Sequence, residues 1–184
     1  TATDLTSANF TPGFNPDGSG VIGHANNGTS AGEPVNGTIG DDHLYGLEGG
    51  DTLNGNNGND FVDGGIGNDV LVGGFGADTF VFSSALGADN IDTITDFGSG
   101  DDKLWLSNTT GSPFDVLAGG PLAAAAFDIV GDAIAASSDT RVIYDPGNGA
   151  LYFDADGDGG AASVQFATLI GSPALAASDI FVGA

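Results

Sequence analysis

Cysteine is absent from the 184-residue chain. Disulfide staples and thiol chemistry are therefore excluded, and with them the disulfide-framed class of small secreted scaffolds. Basic side chains are almost as scarce: Lys103 and Arg141 stand against 25 acids, for a net charge of −23. A nucleic-acid binder needs a basic patch to neutralise phosphates, and a polybasic membrane surface needs one too. Two cations supply neither. Methionine is also missing and the chain opens on Thr1, which points to a processed chain or a portion of a longer one. No apolar run approaches the roughly 20 residues of a membrane span, and no basic-then-apolar leader opens the chain. Glutamate is reduced to Glu33 and Glu48, whereas aspartate occurs 23 times among 33 glycines. Aspartate avoids helix interiors and suits turns and hard-cation sites. Composition thus describes glycine turns studded with aspartate, not a helical bundle.

The chain divides into three parts. Residues 1–35 are rich in Ser, Thr, Asn, Gly and Pro with few apolar side chains, and read as an N-terminal arm or linker. Phe10, Phe14, Val21 and Ile22 are the anchors this arm would use if it docks. Residues 36–81 repeat with a period of nine. Glycine holds position one (Gly37, Gly46, Gly55, Gly64, Gly73) and position four (Gly40, Gly49, Gly58, Gly67, Gly76). Aspartate holds position six (Asp42, Asp51, Asp60, Asp69, Asp78), and an apolar residue holds position eight (Leu44, Leu53, Val62, Leu71, Phe80). This period is that of a parallel β-helix. Residues 82–184 form a third, non-repetitive part, expected to be a β-rich cap.

The slots dictate a physical unit. Two glycines make a tight turn, because they reach φ > 0 without a Cβ clash. The remaining residues make a short strand whose position-eight side chain points inward. Two nonapeptides complete one coil, so residues 18 apart stack. Asp42, Asp60 and Asp78 then share one column, and Asp51 and Asp69 share the other. Carboxylates stacked one strand spacing apart, roughly 4.8 Å, repel, and residues 36–81 contain no Lys or Arg. A hard divalent cation resolves the conflict: calcium takes 6 to 8 oxygens at about 2.3–2.6 Å, from carboxylates and glycine-freed carbonyls.

These nonapeptides resemble the calcium-binding repeats of the RTX (repeats-in-toxin) family. The resemblance implies a parallel β-roll with calcium between turns 18 residues apart. It also implies a ligand set: carbonyls at positions two and four of one turn, at one and three of the next, and both aspartates. Carried over, one site uses Thr38, Gly40, Asp42, Gly55, Asn57 and Asp60. A second uses Asn56, Gly58, Asp60, Gly73, Phe75 and Asp78, and a third Leu47, Gly49, Asp51, Gly64, Ile66 and Asp69. At least three calcium ions are expected. Thr38, Leu47 and Asn56 replace the family's position-two glycine, which is expected to stiffen those turns.

The third part extends the resemblance. Asp92–Phe97 followed by Asp102-Lys103-Leu104 is similar to the segment after the repeats in serralysin-type C-terminal domains, which implies a cap with further ligands at Asp92, Asp96 and Asp102. Strands are expected at 141–144 and 150–154 around the hairpin signal Pro146-Gly147-Asn148-Gly149, and a third at 161–169. Asp154, Asp156 and Asp158 match the first half of an EF-hand loop, but the twelfth position is Gln165 and flanking helices are missing. The segment is an acidic turn with calcium binding and plain exposure as its alternative readings. Residues 119–137 are alanine-rich, with room for a short helix. Near the end, Asp179-Ile180-Phe181-Val182 resembles the uncleaved C-terminal signal of type I secretion substrates. That resemblance implies a type I secretion apparatus as partner and a secreted, extracellular or cell-surface location.

Catalytic patterns fail one by one. Gly28-Thr29-Ser30-Ala31-Gly32 has the spacing of a nucleophile elbow without its strand and helix. Gly18–Gly23 has the spacing of a dinucleotide fingerprint without its leading strand. His24 and His43 are 19 apart, which no zinc-protease motif allows. No general acid, base or nucleophile emerges, and the chain is expected not to be an enzyme. Two classes remain. The first is a calcium-dependent folding and secretion module, belonging to a larger exported protein. The second is a self-assembling surface-layer or matrix filament subunit whose assembly depends on calcium.

Overall fold

Position eight sets the packing. In the computed structural model, which describes residues 20–23, 32, 34–98, 101–131, 137–157 and 160–184, every position-eight side chain is fully excluded from solvent. Each nonapeptide contributes one strand of three or four residues: β3 (Asp42–Tyr45), β4 (Thr52–Asn54), β5 (Phe61–Asp63), β6 (Val70–Val72) and β7 (Thr79–Phe82). Successive strands go to opposite sheets. Leu44, Val62 and Phe80 therefore come from one wall of the core, and Leu53 and Leu71 from the other. Within each wall the pairing is parallel with an 18-residue offset, as in Val62↔Phe80 and Leu53↔Leu71. The expected two-nonapeptide coil is what forms.

The roll continues at both ends. On the N-terminal side β1 (Gly20–Gly23) pairs with β3, and β2 (Pro34–Asn36) pairs with β4. These strands lie largely inside the stretch read as an arm, and Val35 is buried. Phe10, Phe14 and His24 lie outside the described residues. On the C-terminal side β8 (Asp92–Ile94) and β9 (Lys103–Ser107) add one more coil, placing Ile94 and Leu104 in the core.

The remaining strands extend the same two sheets. β14 (Val164–Leu169) pairs parallel with β8, and β15 (Ile180–Gly183) pairs parallel with β9. β10 (Gly120–Pro121) closes the edge beyond β15, and β11 (Phe127–Ile129) runs beside β12 (Val142–Asp145). The expected hairpin forms from β12 and β13 (Ala150–Phe153), which pair antiparallel. Its turn ends on Gly149 at φ 78°, a conformation glycine adopts without strain. Among its described residues the alanine-rich stretch yields one turn of 3-10 helix, Ala124–Ala126. No described helix is long and apolar enough to cross a membrane. Where the aspartate columns end, aromatic packing takes over: Phe114 meets Phe153 and Phe166 edge-on at 4.9 and 5.6 Å, and Phe82 meets Phe166 at 5.0 Å.

Candidate metal centre

Each position-six aspartate stands at the junction of a turn and the strand that follows it. From the second member of each column onward, Oδ1 accepts a hydrogen bond from the backbone N–H of the aspartate one coil earlier. Asp60 takes Asp42 N at 2.8 Å, Asp78 takes Asp60 N at 2.9 Å, and Asp102 takes Asp78 N at 2.9 Å. In the other column Asp69 takes Asp51 N at 2.7 Å and Asp92 takes Asp69 N at 3.1 Å. The two columns deduced from the 18-residue offset are thus present. Asp102 and Asp92 prolong them beyond the repeats, at separations of 24 and 23 residues. All seven side chains are buried.

The second carboxylate oxygen is the chemically significant one. Oδ2 of Asp60 and of Asp69 is buried with no hydrogen-bond partner. A buried acceptor in that condition costs about 1–3 kcal/mol, and more when charged. The cradle around it admits no side chain. A Cβ on Gly55, Gly64 or Gly73 would collide with Oδ2 of the aspartate in its own turn. From the other side, a Cβ on Gly55 would stand 2.5 Å from the Gly73 carbonyl oxygen of the next coil. Oxygens from two successive coils therefore converge on position one, and this explains why only glycine occupies it.

Burial without a counter-charge raises the acids. Desolvation, partly offset by the bond from the preceding aspartate N–H and reinforced by stacked carboxylates, pushes Asp60 and Asp78 from 3.8 up to about 6. Desolvation likewise pushes Asp69 up to about 6, and Asp92, faced by Asp69, up to about 8. Among the described residues no three acidic or histidine side chains converge, so neutral oxygens, such as the backbone carbonyls that line the cradle or water, would complete an ion's shell. Paired carboxylates, orphaned oxygens and a carbonyl-lined cradle fit calcium, which is an all-oxygen, flexible-geometry ion.

Turn conformation separates the position-two residues. Leu47 and Asn56 adopt φ 71° and 74°, matching the positive φ of Gly65 and Gly74 at the same slot. Thr38 does not. Its N–H and Oγ1 instead donate to Asp42 Oδ2 at 2.5 and 2.9 Å. Of the other expected ligands, Asp96 stands outside the columns and accepts from Gly73 N and Gly74 N at 3.0 and 2.8 Å. Asp154 is buried and caps its own turn, accepting from Asp156 N and Gly157 N at 3.2 and 2.9 Å. Asp156 accepts from Ala161 N, a bond that holds its carboxyl below the usual range. Asp158 lies outside the described residues.

Sequence reasoning missed a second ladder. Asp41 Oδ1 accepts from Asn59 N, Asn59 Oδ1 from Ala77 N, and Asn68 Oδ1 from Ile91 N, at 2.7–2.8 Å. These are position-five residues, and the Asp or Asn in that slot was the available signal. Asn90 was missed as well. Its Oδ1 accepts from Gly67 N at 2.7 Å, replacing the position-three carbonyl that Gly49 and Gly58 use in their turns.

Residues 27–62, 36–71 and 45–80 each match the family model of the RTX calcium-binding nonapeptide repeat (4 copies). Among solved structures, the chain is similar to the AlgE6R3 subunit of the Azotobacter vinelandii mannuronan C5-epimerase. Identity is 28% over 81% of this chain and 77% of that one, with a TM-score of 0.50. It is also similar to the AlgE6R2 subunit of the same source, at 28% identity over 80% of this chain and 91% of that one, with a TM-score of 0.42. No curated protein matches. The period, the two aspartate columns and the family match agree over residues 27–80, which carry the RTX calcium-binding nonapeptide repeat.

Proposed function

We propose that the chain is a calcium-dependent folding module of a type I secreted extracellular protein, without catalytic residues of its own. One observation carries the reading: a stack of buried carboxylates, with orphaned oxygens at Asp60 and Asp69 and no Lys or Arg in residues 36–81. Strands of three or four residues bury too little to offset chain entropy by themselves. Calcium bound only by the folded chain adds stability by mass action. Extracellular modules bind calcium at about 10⁻⁴–10⁻³ M, so the chain stays loose at cytosolic calcium and folds outside. The C-terminal segment fits this order. Asp179 precedes β15, where Ile180 and Val182 are buried, so an export apparatus reads that segment only before folding. The test is far-ultraviolet circular dichroism in calcium and after its removal. A β signal unchanged by removal at neutral pH sinks the reading.

The second reading, a calcium-dependent surface-layer or matrix subunit, is favoured by one feature. Position three presents Ile39, Ile66 and Phe75 to solvent, with Phe75 81% exposed. Light scattering in calcium separates the two, since a filament subunit grows and a module stays monomeric.

A further inference from the structure

The columns treat their members unequally. Oδ2 of Asp60 is buried and has no donor. Oδ2 of Asp42, in the equivalent place of the first turn, holds two: Thr38 N at 2.5 Å and Thr38 Oγ1 at 2.9 Å. At the far end of the same column Asp102 Oδ2 accepts from Gly98 N at 2.7 Å. In both end turns the donor sits four residues before its aspartate, where the turn of Asp60 leaves the oxygen open.

We infer that Thr38 stands in for a cation, so that the first turn closes on its own donors and the site carried over to Thr38, Gly40, Asp42, Gly55, Asn57 and Asp60 takes no calcium. The inference rests on the calcium-binding reading above and narrows it to particular turns. The physical ground is competition for one oxygen. A carboxylate oxygen that accepts an N–H and an O–H presents the positive ends of both donors to an approaching ion. To free the oxygen, position two must turn over into the positive-φ conformation of Leu47, Asn56, Gly65 and Gly74. Threonine resists this, because a β-branched residue at φ > 0 is a genuine outlier. Asparagine tolerates the left-handed region, and glycine has no Cβ to clash. Position two is thus a selector: glycine and asparagine open a turn to calcium, and threonine seals it. A sealed first turn gives the array a boundary that needs no ion, matched by Gly98 and Asp102 at the opposite end.

The experiment counts ions on the full chain by native mass spectrometry across a calcium titration. Thr38→Gly and Thr38→Asn are each expected to carry one calcium more than wild type. Thr38→Val, which keeps the β-branch and the N–H donor, is expected to keep the wild-type count. In the wild-type background Asp42→Asn loses no ion, whereas Asp60→Asn loses at least one. Equal counts for wild type, Thr38→Gly and Thr38→Asn overturn the inference. So does loss of an ion in Asp42→Asn, which decides the matter even where the position-38 variants fail to fold. A wild-type chain that binds no calcium overturns the proposed function itself, an outcome distinct from equal non-zero counts.

Discussion

Acid should replace calcium in this fold. Burial pushes Asp60, Asp69 and Asp78 from 3.8 up to about 6, and Asp92 up to about 8. A folded carboxyl that holds its proton more tightly than the unfolded one favours the folded state at low pH. That stability is fully present below the unfolded value of 3.8 and is lost as pH rises through about 6 for three of the residues and about 8 for Asp92. Each displacement to about 6 is worth on the order of 3 kcal/mol at about 1.4 kcal/mol per pH unit. The contributions are not additive, because Asp60 and Asp78 share a column, as do Asp69 and Asp92. Even one is a large part of a domain's stability of about 5–15 kcal/mol.

The metal-free chain should therefore show a β signal near pH 5 that melts away toward pH 8. Calcium should invert the slope, since bound carboxylates are deprotonated and binding releases protons. The assay is thermal unfolding by circular dichroism across this range. Calcium is removed by resin rather than by a soluble chelator, whose own carboxylates protonate in acid. A metal-free melting temperature that is flat or rises with pH refutes the charged-column reasoning.

Three further outcomes follow from the turn geometry. Asp60→Ala should raise the calcium midpoint for folding more than Asp42→Ala does, because Asp60 has the open oxygen; loss of one ion at a calcium level a hundred times its Kd removes about 2.7 kcal/mol, and equal midpoints would refute the column assignment. Leu47→Gly should raise the melting temperature in calcium, since Leu47 is an exposed side chain at φ 71° and releasing a left-handed residue returns about 1 kcal/mol; a fall would show that Leu47 packs usefully. Gly73→Ala should destabilise the calcium-bound chain by about 2 kcal/mol or more through its clash with Asp78 Oδ2, whereas Gly87→Ala, which meets nothing within 4 Å, should be neutral in the same melt.

The repeat was legible because it is a spacing, and spacing alone fixes which residues stack. Glycine at positions one and four, aspartate at six and an apolar residue at eight were enough to place both columns and the five core residues of the repeats. The orientation within each turn was not legible. Thr38, Leu47 and Asn56 look alike as departures from glycine, but the threonine turn differs in backbone conformation from the other two. The continuation of the columns at Asp92 and Asp102 was visible through family resemblance alone, since spacings of 23 and 24 break the period. Asp96 and Asp154 share the composition signal of a ligand, yet each satisfies backbone N–H groups of a turn. An aspartate's sequence does not distinguish these uses; its access to donors does. The strands β1 and β2 were hidden because one contains two glycines and the other begins with proline, both poor strand signals.

The two halves of the fold solve their stability problems differently, and the division follows charge. Both basic residues lie beyond the repeats. Lys103 approaches Asp179 at 3.5 Å, and Arg141 donates to the Ser138 and Thr140 carbonyls at 2.5 and 3.0 Å. The same half holds the antiparallel hairpin, the edge-on cluster of Phe82, Phe114, Phe153 and Phe166, and the buried Tyr144, whose hydroxyl donates to the Pro173 carbonyl at 2.8 Å. These interactions need no ion. The repeats have one inward apolar side chain each and a carboxylate that burial penalises, a penalty that a bound cation or a proton relieves. β8 and β9 join the two regimes: each pairs with a repeat strand on one side, β6 or β7, and with a cap strand on the other, β14 or β15. A cap held by ordinary burial thus presents two formed strand edges, with Asp92 and Asp102 at their starts. Each incoming coil finds its hydrogen-bond partners and the first carboxylate of its column already in place. Parallel pairing of very short strands is entropically costly to begin and much less costly to extend. On the proposed function the roll is expected to grow from the cap toward the N-terminus, coil by coil as ions enter, with the ion-bound array ending at the turn of Thr38 and β1 and β2 continuing the roll beyond it.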